Sequence, residues 1–322
     1  MRAVETLLIA SDLKAKLSRS DFKGVHANHL CADPRFEKVT DHARGLVDGM
    51  ESLLGNASMY FVKDEMTDLI TYASEKLEED DVLDFTLAPT QSGFVYFEKP
   101  IPLMDLRGTT LHINMAMWHF THKQDLVVFM WNDQYRTPDP IAIQIRNEAQ
   151  KDKRSQLFLE CIGRWGFIGM VAANDGDTVG QKLVQQDEET IKSYEEREGF
   201  TPVPSGNFVR AIHAYWLLMN QTLVNVSEEE GDKRVARTMR QMKLPNLVNV
   251  IQYRRTENDR EYLGESNVQW SHRWIVRGHW RWQPFKNEKG QDDRKRIWIA
   301  PFMKGPEDKP LVLTDKIYAL TR

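Results

Sequence analysis

The chain has 322 residues, 41% apolar and 28% charged, enough to bury a sizeable core in two domains and too apolar for disorder over most of its length. Its net charge of -4 hides an asymmetry: residues 233–322 hold 20 Lys and Arg against 10 Asp and Glu, leaving 23 against 37 upstream. A basic end on an acidic body fits a chain in which one region meets nucleic acid and the rest stays in solution or meets protein. Cys31 and Cys161 are the only cysteines and lie far apart, which speaks against a disulfide framework or a zinc ribbon. The apolar run at Leu7–Ala10 stops at Ser11-Asp12, well short of a signal or spanning segment, so a cytoplasmic location in a bacterial host and no membrane partner are expected.

Apolar residues at three- and four-residue steps predict helices over Ala3–Leu17, about Pro34–Leu54 and about Lys63–Leu77. The period then changes: Phe85-Thr-Leu, Phe94–Phe97, Thr110–Trp118 and Leu126–Trp131 predict strands of a meander, with Ile141–Ile145 as a further edge strand. Gln181–Arg197 reads as a polar helix and Gly199–Gly206, with two prolines, as a connector. Phe208, Ile212, Tyr215, Met219 and Leu223 predict a core-facing helix. Ser227 and Glu230 have capping-box spacing and predict another, with Val235, Met239 and Met242 on one side and Lys233, Arg237 and Arg240 on a cationic face. Strand-like runs follow at Leu247–Tyr253, Val268–Trp282, Arg296–Phe302 and Leu311–Leu320.

The expected fold class is therefore α+β: N-terminal helices with an antiparallel sheet, and a C-terminal basic β-rich module joined by two helices. The expected units are an acidic domain over 1–205, a helical connector over 206–242 and the basic module over 243–322.

The densest signal is Trp270–Trp282, where tryptophans alternate with cations. On one continuous strand, Trp270, Trp274, Trp280 and Trp282 share a face, while Arg273, Arg277, His279 and Arg281 share the other. A hairpin then brings Arg294, Lys295 and Arg296 beside that basic face. Guanidinium groups bind phosphate bidentately and aromatic rings stack on unpaired bases, so this pattern suits single-stranded nucleic acid, RNA in particular. The bland alternative is a packed tryptophan face with solvated arginines behind it.

His279, between Arg277 and Arg281, also suits a general base or acid of a ribonuclease, which leaves an enzymatic role open without establishing a catalytic residue. The pairs His26/His29 and His119/His122 lack a matching second pair at zinc spacing, and no Walker loop, dinucleotide fingerprint, nucleophile elbow or zincin helix is present. Neither a metal nor a cofactor is expected.

The string Ser271-His272-Arg273-Trp274-Ile-Val-Arg277-Gly278-His279-Trp280-Arg281, followed by Arg296-Ile-Trp298-Ile-Ala-Pro301-Phe and Lys304-Gly305, resembles the tail of a phage- and plasmid-borne family that includes a type V-A anti-CRISPR. Pro89–Pro100, a strand framed by glycine and proline, also looks like a family element. The resemblance covers about a sixth of the chain. It marks Trp274, Arg277, Gly278, His279, Trp280 and Trp298 as signature or structural positions. The anti-CRISPR member carries phenylalanine and histidine where this chain has Trp280 and Arg281. The resemblance implies a host-takeover or counter-defence regulator that acts on production of an effector nuclease during translation. RNA, or the ribosome with its nascent chain, would be the partner of the basic module, and a host protein that of the acidic domain. A pure protein-interaction inhibitor is the competing reading.

Overall fold

The structure is a computed structural model that describes residues 3–18, 49–77, 81–104, 108, 110–121, 125–135, 137–138, 143, 146–148, 150–151, 153, 156, 164–178, 192, 205–221, 224–253, 271, 273–276, 279–286, 292–299, 302–306 and 309. Inside its main sheet, strand β1 (Ser58–Val62), with four apolar residues after Ser58, pairs in parallel with β2 (Ser92–Met104) on one side and β7 (Leu247–Tyr253) on the other. A strand flanked on both edges and covered on both faces has no polar side, which is why Met59, Tyr60, Phe61 and Val62 are all buried. Beyond β2 the chain runs antiparallel through β3 (Thr110–Phe120), β4 (Leu126–Asp133) and β5 (Trp165–Ala173), and beyond β7 lies β6 (Val224–Glu230). The result is a mixed seven-stranded sheet of order β5-β4-β3-β2-β1-β7-β6.

Alternation splits the sheet into two cores. On one face Tyr60, Val62, Val95, Phe97 and Trp118 pack with α2 (Asp64–Glu75) and α3 (Ser205–Met219); on the other, Met59, Phe61, Phe94, Tyr96 and Met117 pack with α1 (Glu5–Leu17) and α4 (Lys233–Met242). Residues 49–56 are also helical, and Met50 and Leu54 join the second core. The class is α+β as expected, with the sheet mixed rather than antiparallel throughout.

Several local expectations are corrected. Phe85–Leu87 is a 3-10 helix, because the Asp84 carboxylate accepts from the Thr86 N–H at 2.9 Å and turns the chain. Ile143, the one described residue of the predicted edge strand over 141–145, is helical, as are residues 146–148. Ser227 and Glu230 do not open a helix: they lie in β6, held by seven register pairs to β7. The cap of α4 is Asp232, whose Oδ1 accepts from the N–H groups of Arg234 and Val235, each at 2.9 Å.

The unit boundaries shift too. Strands β6 and β7 belong to the same sheet as β1–β5, and α3 packs on α2, β2 and β5. The segment 206–242 is therefore part of the main body, and the expected 243–322 module loses its first strand to that sheet. The predicted elements at Gln181–Arg197 and Leu311–Leu320 lie outside the described residues, apart from Lys192, which is helical.

Helix α3 carries a pH-sensitive group. His213 is buried, with Nδ1 unpartnered among the described residues, and burial lowers its pKa from 6.5 to about 4, against the opposing pull of Asp84. The unfolded chain takes up this proton below about 6.5 and the folded chain resists it until about 4. Its stabilising contribution is therefore complete above 6.5 and lost progressively as pH falls to about 4, a difference of about 3 kcal/mol. Urea unfolding at stepped pH is expected to show this loss in the wild type and a smaller one in His213→Leu.

Candidate functional site

Two stretches of the tryptophan-rich run are strands among the described residues. Trp274–Val276 forms β8, which pairs with β11 (Phe302–Lys304), and His279–Lys286 forms β9, which pairs with β10 (Asp292–Ile299). Arg277 and Gly278, between these stretches, lie outside the described residues. The two pairings are in step, since three residues on from Val276 and three back from Phe302 stand His279 and Ile299, themselves a pair, so by position Arg273, His279 and Arg281 alternate with Trp274, Trp280 and Trp282.

The β9–β10 register distributes the cations differently. Position 296 lies opposite 282, 298 opposite 280 and 294 opposite 284, whereas 295 lies opposite 283 and 297 opposite 281. Directly opposed positions share a face. By position, Arg294 and Arg296 thus fall with Trp280, Trp282 and Trp298, and Lys295 falls with His279 and Arg281. The second basic cluster is brought beside the tryptophan positions, and the ribbon is basic by position on both faces. Arg281 is exposed.

Arg273 leaves the expected set. Its Nη1 donates to Glu65 Oε1 at 3.3 Å and its Nε to the Lys309 carbonyl at 3.0 Å. Glu65 sits in the first turn of α2, so this arginine ties the C-terminal segment to the main body instead of facing a phosphate.

A second cationic surface lies on α4. Lys233, Arg234, Arg237, Arg240 and Lys243 are all exposed, and none of these side chains makes a hydrogen bond or ion pair among the described residues. The opposite side of the helix is anchored by Val235 and Met239, both buried in the core shared with α1. The helix ends on Lys243, whose backbone is left-handed (φ 51) and whose carbonyl accepts from Lys14 Nζ of α1 at 3.3 Å. Burial lowers the pKa of that lysine. The signal was legible as five cations without an acid between 233 and 243, but helical spacing alone gave the face no task.

His279 lies on β9 opposite Ile299. The metal candidates His26, His29, Cys31 and His122 fall outside the described residues, and among those described no group of three or more His, Cys, Asp or Glu could hold an ion. His119 Nδ1 and Ser92 Oγ are 2.6 Å apart, at directly opposed positions of β2 and β3. That closeness is what the ladder dictates for any polar pair there, and it fixes the ring across two strands. No described helix is long and apolar enough to cross a membrane.

No family model matches the chain, and no curated protein matches it. Among solved structures the chain is similar to that of AcrVA2, at 12% identity and a TM-score of 0.38, over 86% of this chain and 82% of that one. At that score the two chain paths differ too much for the likeness to carry a functional inference.

Proposed function

We propose that this chain is a mobile-element regulator of the counter-defence or host-takeover kind, and that it binds RNA or a ribosome-associated message through the β9–β10 ribbon. The observation that carries the reading is the ladder itself. It sets Arg281 and Lys286 across from a strand holding Arg294, Lys295 and Arg296, with Asp292 and Asp293 as the only acids in the paired positions. Cations interleaved with tryptophans suit a flexible strand, whose phosphates take the guanidinium groups and whose bases stack. Arg277 and His279 join this surface in the proposal, and the tail resemblance supplies the counter-defence context. The acidic body, 37 acidic against 23 basic residues over 1–232, is the region proposed to meet a protein such as a nascent chain or host factor.

Incubating the full chain with end-labelled single-stranded RNA tests this reading. A mobility shift with intact RNA is expected, and Arg281→Ala/Arg294→Ala/Arg296→Ala should weaken it by about tenfold or more. Cleavage abolished by His279→Ala would replace the proposal with a ribonuclease. An inert wild type would replace it with a protein-interaction inhibitor.

A further inference from the structure

We infer that the solvent face of α4 is a second RNA-binding surface, gripping the phosphate backbone separately from the β9–β10 ribbon. The inference rests on the RNA reading for the identity of its ligand, and on α4 alone for its location.

The first turn of α4 carries the wrong charge for a helix start. The N-terminus of a helix carries the positive end of the backbone dipole, so its first turn favours acids. Here the first turn has no acid and holds Lys233 and Arg234 instead. The one carboxylate at that end, Asp232, is committed to the N–H groups of Arg234 and Val235. Two cations added to a positive dipole end destabilise the free helix and prepare their side chains for an anion, since dipole and side-chain charge then act in one direction.

Lys233, Arg237 and Arg240 follow one another at helical spacing along a row of ~10 Å of helix axis. Such a row offers one cation to each of about three phosphates of a single strand. All three residues are exposed and make no ion pair among the described residues. Glu229 of β6 shares the sheet face on which α4 packs, by its register with Val248, and it too is exposed without pairing to α4. The fold thus leaves these charges uncompensated although an acid stands nearby.

The composition of this face selects RNA over an acidic protein. Protein interfaces centre on a buried aromatic or aliphatic anchor and are poor in lysine. None of the exposed large apolar side chains lies on α4, and Val226, the one on neighbouring β6, pairs with Ile251 on the opposite sheet face. A face made of cations without an anchor suits a phosphate backbone.

The test is fluorescence anisotropy with labelled single-stranded RNA, comparing wild type, Lys233→Ala/Arg237→Ala/Arg240→Ala and the ribbon triple variant. Alanine at exposed helical positions keeps the helix, which far-UV circular dichroism checks. Affinity in the α4 variant is expected to fall about tenfold or more, and the slope of log K against log salt to become shallower by about 2. Unchanged affinity and slope in that variant, with binding lost in the ribbon variant, would overturn this inference and leave the RNA reading standing. A wild type that binds no RNA would overturn both. Polyglutamate that binds as tightly as RNA and is released by the α4 substitutions would overturn the choice of RNA in favour of an acidic protein.

Discussion

Trp118→Ala is expected to destabilise the chain by about 3–5 kcal/mol, the range for emptying the space of a large aromatic in a packed core. Trp118 is fully buried on β3, with ring centroids 5.4 Å from Tyr60, 6.0 Å from Tyr215 and 5.9 Å from Trp216. Its Nε1 donates to the Thr90 carbonyl at 2.9 Å, so the substitution also leaves that acceptor without this donor. The fold has built around this ring: Gly93 stands opposite it on β2, and a Cβ at that position would lie 2.1 Å from Trp118 Cζ2. Urea unfolding followed by circular dichroism should give a lower midpoint with little change in slope. A loss under 1 kcal/mol would mean that the Tyr60–Tyr215–Trp216 cluster does not depend on the ring.

The second large effect is expected at the far end of the sheet. Asp133 is completely buried at the end of β4; its Oδ2 accepts from Arg164 Nε at 2.9 Å and Nη2 at 2.5 Å, and its Oδ1 accepts from the Tyr135 N–H at 3.1 Å. The bond to Asp133 raises the pKa of Arg164, whose guanidinium also lies 4.4 Å from the Trp165 ring centroid. Removing one member of such a pair strands the other charge. Asp133→Ala is expected to cost about 3 kcal/mol, the low end of the range for a fully enclosed pair, because the Arg164 side chain keeps 31% exposure to water. Adding Arg164→Ala should recover part of that loss, and a double-mutant cycle in urea measures the coupling. Strict additivity would contradict this account of the pair.

Much of the main body could be read from residue spacing, and the exceptions share a cause. The helices at Glu5–Leu17, Asp64–Glu75 and Ser205–Met219 each bury a stripe that leaves a period in the sequence, and strands β2–β4 show as long apolar runs between glycine, proline and charged turns. Ser58–Val62 has neither a helical period nor the length of those runs, so this interior strand passed unnoticed between two helices. Strand β6 fails in another way: most of its residues are exposed, and only its pairing with β7 makes it a strand. In β5 the glycines obscure the signal. Gly166 is required there, since a Cβ would lie 1.6 Å from Gln134 Nε2, a contact that appears only once β4 and β5 are adjacent.

The candidate site divides along the same line. Its chemistry, cations among tryptophans and a helix with four positive charges and a fifth at its C-cap, is a property of residue type and was legible. Its allocation in space was not. Nothing near Arg273 in the sequence announces a carboxylate 208 residues away, yet Glu65 is where its charge goes. The register of the hairpin likewise depends on which residues stand opposite each other, and it puts Arg294 and Arg296 with the tryptophan positions and Lys295 with His279 and Arg281.

The most direct test of the central claim, that exposed cations of this chain engage an RNA backbone, is the affinity of the intact wild-type chain for single-stranded RNA over a series of salt concentrations. Six phosphates shared between the ribbon and α4 give a slope of about -4 in log K against log salt. A slope near zero, or no measurable binding at low salt, would contradict the claim.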